Sequence, residues 1–103
     1  MKYELESTAE FDLWLAEADK AVKTRLLSRL ARVENGNFGD YRALSSRLFE
    51  LRCFFGGGLR VYYTMRERTI VLLLLGGDKS TQKADISRAS AMLNELDKDE
   101  PEG

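Results

Sequence analysis

With 103 residues the chain has room for one domain, and its single cysteine, Cys53, precludes an internal disulfide and a cysteine-based zinc site. It has no histidine, which removes the usual neutral-pH base and the commonest metal ligand, so zinc hydrolases and histidine-dependent triads are excluded. The net charge of −1 conceals a division: residues 1–19 hold one Lys against six acids and residues 89–103 one Lys against five, whereas residues 20–88 hold 14 Lys+Arg against 6 Asp+Glu. Such a basic middle attracts phosphate or an acidic protein, or it reflects solvated arginines on helix faces, Arg25, Arg29 and Arg32 among them.

Residues 2–6 alternate weakly and are expected to form a short strand. Ser7-x-x-Glu10 then has the form of a capping box, and Phe11, Trp14, Leu15 and Ala18 follow at helical spacing. Trp14, in phase with Phe11 and Ala18, is expected in the core or on a partner-facing edge. Asp19 is the second expected cap, ahead of an apolar stripe of Val22, Leu26, Leu27, Leu30 and Val33 that stops at Gly36. Residues 35–40 have loop chemistry, with two glycines and two asparagines.

From Leu48 the pattern turns to strands. Leu48–Phe55 and Leu59–Met65 flank Gly56-Gly57-Gly58, and Ile70–Leu75 follows Arg66-Glu67-Arg68, which predicts a three-stranded meander of two hairpins. A regular three-residue turn would set Arg52 opposite Tyr62 and Phe54 opposite Arg60, all four on one face, with Leu51, Cys53, Val61 and Tyr63 on the other, against helices. Cys53 is then a small core residue. The third strand is apolar on both faces, as a sandwiched strand is, and it is also the longest apolar run, far below the ~20 residues of a membrane span. With no apolar signal core at the N-terminus, a cytoplasmic protein without a membrane partner is expected. Ser80 or Thr81 is expected to cap a last helix with Ile86, Ala89, Leu93 and Leu96 inside, and the domain to occupy 1–97 with an acidic tail at 98–103.

Two places combine polar groups with a rigid setting. On the strand face, Arg52 and Arg60 make either a bidentate phosphate clamp or an outer face paired with Glu50, and Tyr62 either stacks on a base or covers the sheet. The second place is the turn Gly76-Gly77-Asp78-Lys79-Ser80-Thr81-Gln82. It lacks Walker spacing, since only Gly77 and Asp78 separate Gly76 from Lys79. A glycine turn with a helix cap accounts for Gly76, Gly77 and Ser80 or Thr81, but not for Lys79 or Gln82.

Taken together, these motifs resemble the RelE/ParE toxin superfamily, specifically its HigB-like addiction module killer proteins. The matching pieces are Phe11-x-x-Trp14-Leu15, Gly36-Asn37-Phe38-Gly39-Asp40, Glu50-Leu51-Arg52, Gly58-Leu59-Arg60-Val61-Tyr62-Tyr63 and Leu74 through Gln82 with Asp85-Ile86, in the family's order. The resemblance implies an α+β, RelE-like microbial ribonuclease-like fold, β-α-α-β-β-β-α with a mainly antiparallel sheet. It implies a type II toxin–antitoxin system whose toxin is held inactive by a small helix-turn-helix antitoxin, meets operator DNA only through that complex, and cuts messenger RNA on the ribosome without metal or cofactor. Carried onto these positions, Arg52 and Arg60 bind the phosphate and transition state, and Lys79 is a further cation or proton carrier. Asp78 or Tyr63 is the base, and Tyr62, Gln82 and Lys83 hold RNA. The missing histidine departs from those relatives that use one near the C-terminal end, and leaves the acid and base open. Two alternatives stand beside the nuclease: a ParE-like gyrase poison without catalysis, and an inactive module that binds antitoxin.

Overall fold

A computed structural model describes residues 2–99. In chain order the elements are β1 (Glu4–Ser7), α1 (Ala9–Ala16), α2 (Lys20–Glu34), β2 (Tyr41–Ala43), β3 (Phe49–Arg52), β4 (Arg60–Arg66), β5 (Ile70–Gly77), a 3₁₀ turn (Lys79–Thr81) and α3 (Gln82–Asp99). The strands form one sheet in the order β1-β5-β4-β3-β2, with β1 parallel to β5 and all other pairs antiparallel. The α+β class and the mainly antiparallel sheet match expectation, with one more strand, β2.

The sheet is sandwiched. Phe11, Leu26, Leu30 and Val33 of α1 and α2 bury Leu51, Cys53, Val61, Tyr63, Val71 and Leu73 on one face. Ala89, Met92 and Leu93 of α3 bury Leu48, Tyr62, Leu72, Leu74 and Leu75 on the other. The two-sided apolarity of β5 therefore has its cause in a helix layer on each side. Consecutive residues Leu74 and Leu75 both face α3 because the β4–β5 register jumps at Tyr62/Tyr63, leaving Leu74 as an extra residue in a bulge. Its carbonyl accepts a 2.6 Å bond from the Thr8 hydroxyl, whose oxygen also caps α1 by accepting from the Phe11 amide at 3.0 Å.

Several local expectations need correction. Thr8, not Ser7, caps α1, because Ser7 is still paired with Leu73 in β1 and its hydroxyl donates to Asp12. Asp19 caps α2 as expected. The β3–β4 register pairs Arg52 with Arg60 and Glu50 with Tyr62, two residues from the expected register, because the connection extends beyond the three glycines. The Cys53 amide donates to Leu59 O, and the Gly58 and Leu59 amides both turn back to Phe55 O. An even shift keeps every side chain on its expected face. Beyond Arg52 the chain leaves the sheet, so Phe54 has no partner opposite and stands 89% exposed. Asp78, not Ser80 or Thr81, begins the last helical segment, its carboxylate accepting from the Ser80 amide at 2.8 Å. Helix α3 runs on through Asp99, so the first residues of the expected acidic tail are helical, and Asp97 pairs with Arg47. Residues 100–103 of that tail lie outside the described residues.

Candidate functional site

The last pairs of β3, β4 and β5 carry the candidate site. Arg60 is the cross-strand neighbour of Arg52 on one side and of Gly77 on the other, so the chain leaving β5 through Asp78 and Lys79 passes beside it. Gly58 lies beside both: a Cβ built there would lie 3.3 Å from Arg60 Nη1 and 3.5 Å from Lys79 Cβ. Its φ of 79° also needs a glycine. Arg60 Nη1 donates to Gly58 O at 2.8 Å, which fixes the guanidinium at the sheet end. Lys79 is exposed and forms no ion pair among the described residues.

Two arginines facing each other repel, and the site compensates with one carboxylate each. Asp40, after α2, sits 3.3 Å from Arg52 Nε. Beneath Arg60 lies Glu50, which the sequence suggests only as an outer-face partner. It is fully buried under α3. Its Oε1 accepts from Arg42 Nε at 3.1 Å, its Oε2 from Gln82 Nε2 at 2.9 Å, and Arg60 Nε stands 3.7 Å away. Arg60 Nε and Tyr62 Oη are both buried without a hydrogen-bond partner among the described residues. Glu50 thus ties β2, β3, β4 and the start of α3 into one polar cluster, and it fixes Gln82 as well as Arg60. The only sequence signal for it is a lone acid in an apolar strand beside two arginines.

The expected site residues therefore divide. Arg52, Arg60, Lys79 and Gln82 come together, with side-chain exposure of 38% at Arg52 against 13% at Arg60. Lys83 is exposed one residue into α3. Tyr62 is completely buried, so it covers the sheet and presents no ring to a base. Burial, with Glu50 and Asp85 adding to it, pushes its phenol well up and keeps it protonated. Tyr63 faces the α1–α2 core, stacked on Phe49, and burial raises its phenol too, which removes it as a base. Asp78 is occupied as a cap: bonds from the Ser80 hydroxyl and amide hold its carboxyl below the usual range, making it a weak base. Cys53 is buried, and burial raises its thiol despite Arg29 and Arg32 nearby, as befits a core residue. Among the described residues, no group of three or more His, Cys, Asp or Glu could hold a metal ion, and no helix is long and apolar enough to cross a membrane.

Known proteins match both sequence and shape. An uncharacterised protein of Haemophilus influenzae is 39% identical over 97 residues, covering 93% of this chain and 98% of its own. A free arginine-to-alanine double variant of the Escherichia coli toxin RelE superposes with a TM-score of 0.70 at 14% identity, covering 89% of this chain and 97% of that one. The archaeal RelE in its complex with RelB from Pyrococcus horikoshii gives a TM-score of 0.60 at 17% identity, covering 77% and 97%. The family model described as phage derived protein Gp49-like (DUF891) matches residues 13–97. The chain belongs to this Gp49-like family and carries the RelE fold.

Proposed function

We propose that the protein is the toxin of a type II toxin–antitoxin pair, acting in the cytoplasm as a ribosome-dependent messenger-RNA endonuclease. The observation that carries this reading is the convergence of Arg52, Arg60 and Lys79 at one end of the sheet, with Gly58 leaving open the space between the last two. The relatives of similar fold include RelE bound to RelB, which supports an antitoxin partner here.

Cleavage by a ribose 2′-hydroxyl forms a bond from that oxygen to the adjacent phosphorus and breaks the bond to the 5′-oxygen, which leaves as a hydroxyl. Charge grows on the non-bridging oxygens as the phosphorane forms. Donors already fixed where that charge develops lower the barrier, because nothing need reorganise during the reaction. Arg60 is fixed by Gly58 O and lies beside Glu50, and Arg52 by Asp40, while Lys79 stands exposed at the rim. Gln82, held by Glu50, is placed to orient the strand, and Lys83 adds charge outside it.

Proton transfer is the weaker half of this site. Asp78 is a poor base, both tyrosines stay protonated, and Glu50 is covered by Arg42 and Gln82. Catalysis then rests on charge stabilisation and on a substrate held in line by the ribosome. The test is incubation of purified protein with a message, free or on programmed ribosomes. New 5′-hydroxyl ends only in the ribosomal reaction are expected. Ends on neither substrate, with gyrase inhibited instead, would replace this reading with the gyrase poison.

A further inference from the structure

A second basic cleft lies on the α2 side of Arg52. It encloses about 290 Å³ between α2, the loop Asn37–Asp40 and the residues following β3. Four arginines line it, Arg25, Arg29, Arg32 and Arg52, against a single acidic residue, Asp40, which already pairs with Arg52. Arg29 is only 7% exposed, yet its hydrogen-bond acceptors are the carbonyls of Phe38 (2.5 Å) and Asp40 (3.3 Å), and no carboxylate pairs with it among the described residues. Withdrawing a guanidinium from water without a counter-charge is costly, so a cleft built this way favours an anion. Its rim is aromatic: the Arg25 guanidinium lies 4.4 Å over the Phe55 ring, and Phe54 projects into solvent.

We infer that this cleft binds the phosphodiester backbone of single-stranded RNA, with a base stacked on Phe54. Guanidinium forks grip phosphate oxygens bidentately, and an exposed ring is the natural partner of a nucleobase face. An acidic peptide would answer the charge but leave the ring unused. Arg52 belongs both to this cleft and to the candidate active site, so a strand held here runs on toward Arg60 and Lys79. The inference rests on the RNA-cleaving reading and extends it with a binding subsite away from the scissile linkage.

The test is anisotropy of a short labelled oligouridylate titrated with the full chain at several salt concentrations. The variants are Arg25→Ala/Arg32→Ala and Phe54→Ala. Arg29 is left intact because it holds the loop Asn37–Asp40. The double variant should bind ~10-fold or more weakly, with the slope of log affinity against log salt falling by ~1.4, about 0.7 for each phosphate no longer neutralised. Phe54→Ala should weaken binding ~10-fold with the slope unchanged, since stacking releases no counterion, and its exposure keeps folding out of the result. Ultraviolet cross-linking on programmed ribosomes then identifies the strand as message or ribosomal RNA. Equal binding by all three proteins overturns the inference, as does a poly-glutamate peptide whose binding alone falls in the variants. Cleavage is read separately. A wild type that cuts nothing but loses oligouridylate through these substitutions removes the nuclease reading and leaves the cleft as an RNA site.

Discussion

Replacing Glu50 by glutamine probes the polar cluster under the candidate site with minimal change of shape. The carboxylate is fully buried and accepts from Arg42 Nε at 3.1 Å and from Gln82 Nε2 at 2.9 Å, with Arg60 Nε 3.7 Å away. Glutamine keeps one oxygen but turns an NH₂ toward the other donor and removes the charge opposing Arg60, whose side chain is 13% exposed. Losing one charge-assisted hydrogen bond costs about 1.5–3 kcal/mol. Breaking a buried pair costs about 3–5 kcal/mol when an uncompensated charge remains. Arg42 is half exposed and can rehydrate, so the net expectation is about 3 kcal/mol. That is a large part of the ~5–15 kcal/mol that stabilises a domain of this kind. Urea unfolding followed by far-ultraviolet circular dichroism measures it, with Arg88→Ala, whose pair with Glu10 is exposed on both sides, as a control expected to change the midpoint little. A Glu50→Gln loss no larger than that of the control would refute the claim that Glu50 anchors Arg60 and Gln82.

Other predictions concern the frame around the site. Thr8→Ala removes the α1 cap and leaves the Leu74 carbonyl at the bulge without its donor, so the midpoint of unfolding should fall by an amount equivalent to about 1–2 kcal/mol. Gly76→Ala would drive its Cβ into the Trp14 ring, and a loss of about 1–3 kcal/mol is expected in the same assay; an unchanged midpoint would contradict the close approach of α1 to β5. Arg88 and Arg47 hold the carboxyls of Glu10 and Asp97 below their ordinary values. The native state therefore binds these protons less readily than the unfolded chain. Their contribution is present above the unfolded values and is lost as pH falls through the folded ones. Urea midpoints should accordingly drop between about pH 5 and pH 2, less steeply in Glu10→Gln, and midpoints that rise on acidification would contradict the pairing.

Periodicity reveals the helices and the β3–β4–β5 meander because each buries apolar side chains, although β3 ends at Arg52, short of the expected strand. Strand β2 leaves no such trace: Tyr41, Arg42 and Ala43 are all exposed on a sheet edge and held mainly by pairing with β3. The register of β3 and β4 departs from expectation because glycine positions mark a turn without giving its length, while the faces survive an even shift. Tyr62 is the instructive case. Apolarity on both faces of Ile70–Leu75 already requires a helix over the side that carries Tyr62, and a residue beneath that helix is covered with it. The same covering turns Glu50 from a surface partner into a buried hub, which local sequence does not encode because α3 brings Gln82 from 32 residues away. Arg52 and Arg60 are legible on one face because that face survives the even shift, whereas in the sequence Lys79 joins them only through the family resemblance.

The most direct test of the central claim, that cations at the sheet end neutralise a scissile RNA linkage, is transcriptome-wide mapping of message 5′ ends after expressing wild type and Lys79→Ala. Lys79 is exposed and forms no ion pair among the described residues, so its loss should leave the fold intact. Wild type is expected to cut translated messages and arrest growth, and the variant to lose at least ~100-fold of that cleavage while retaining antitoxin binding. Equal cutting by both proteins, or growth arrest with every message intact, would contradict it.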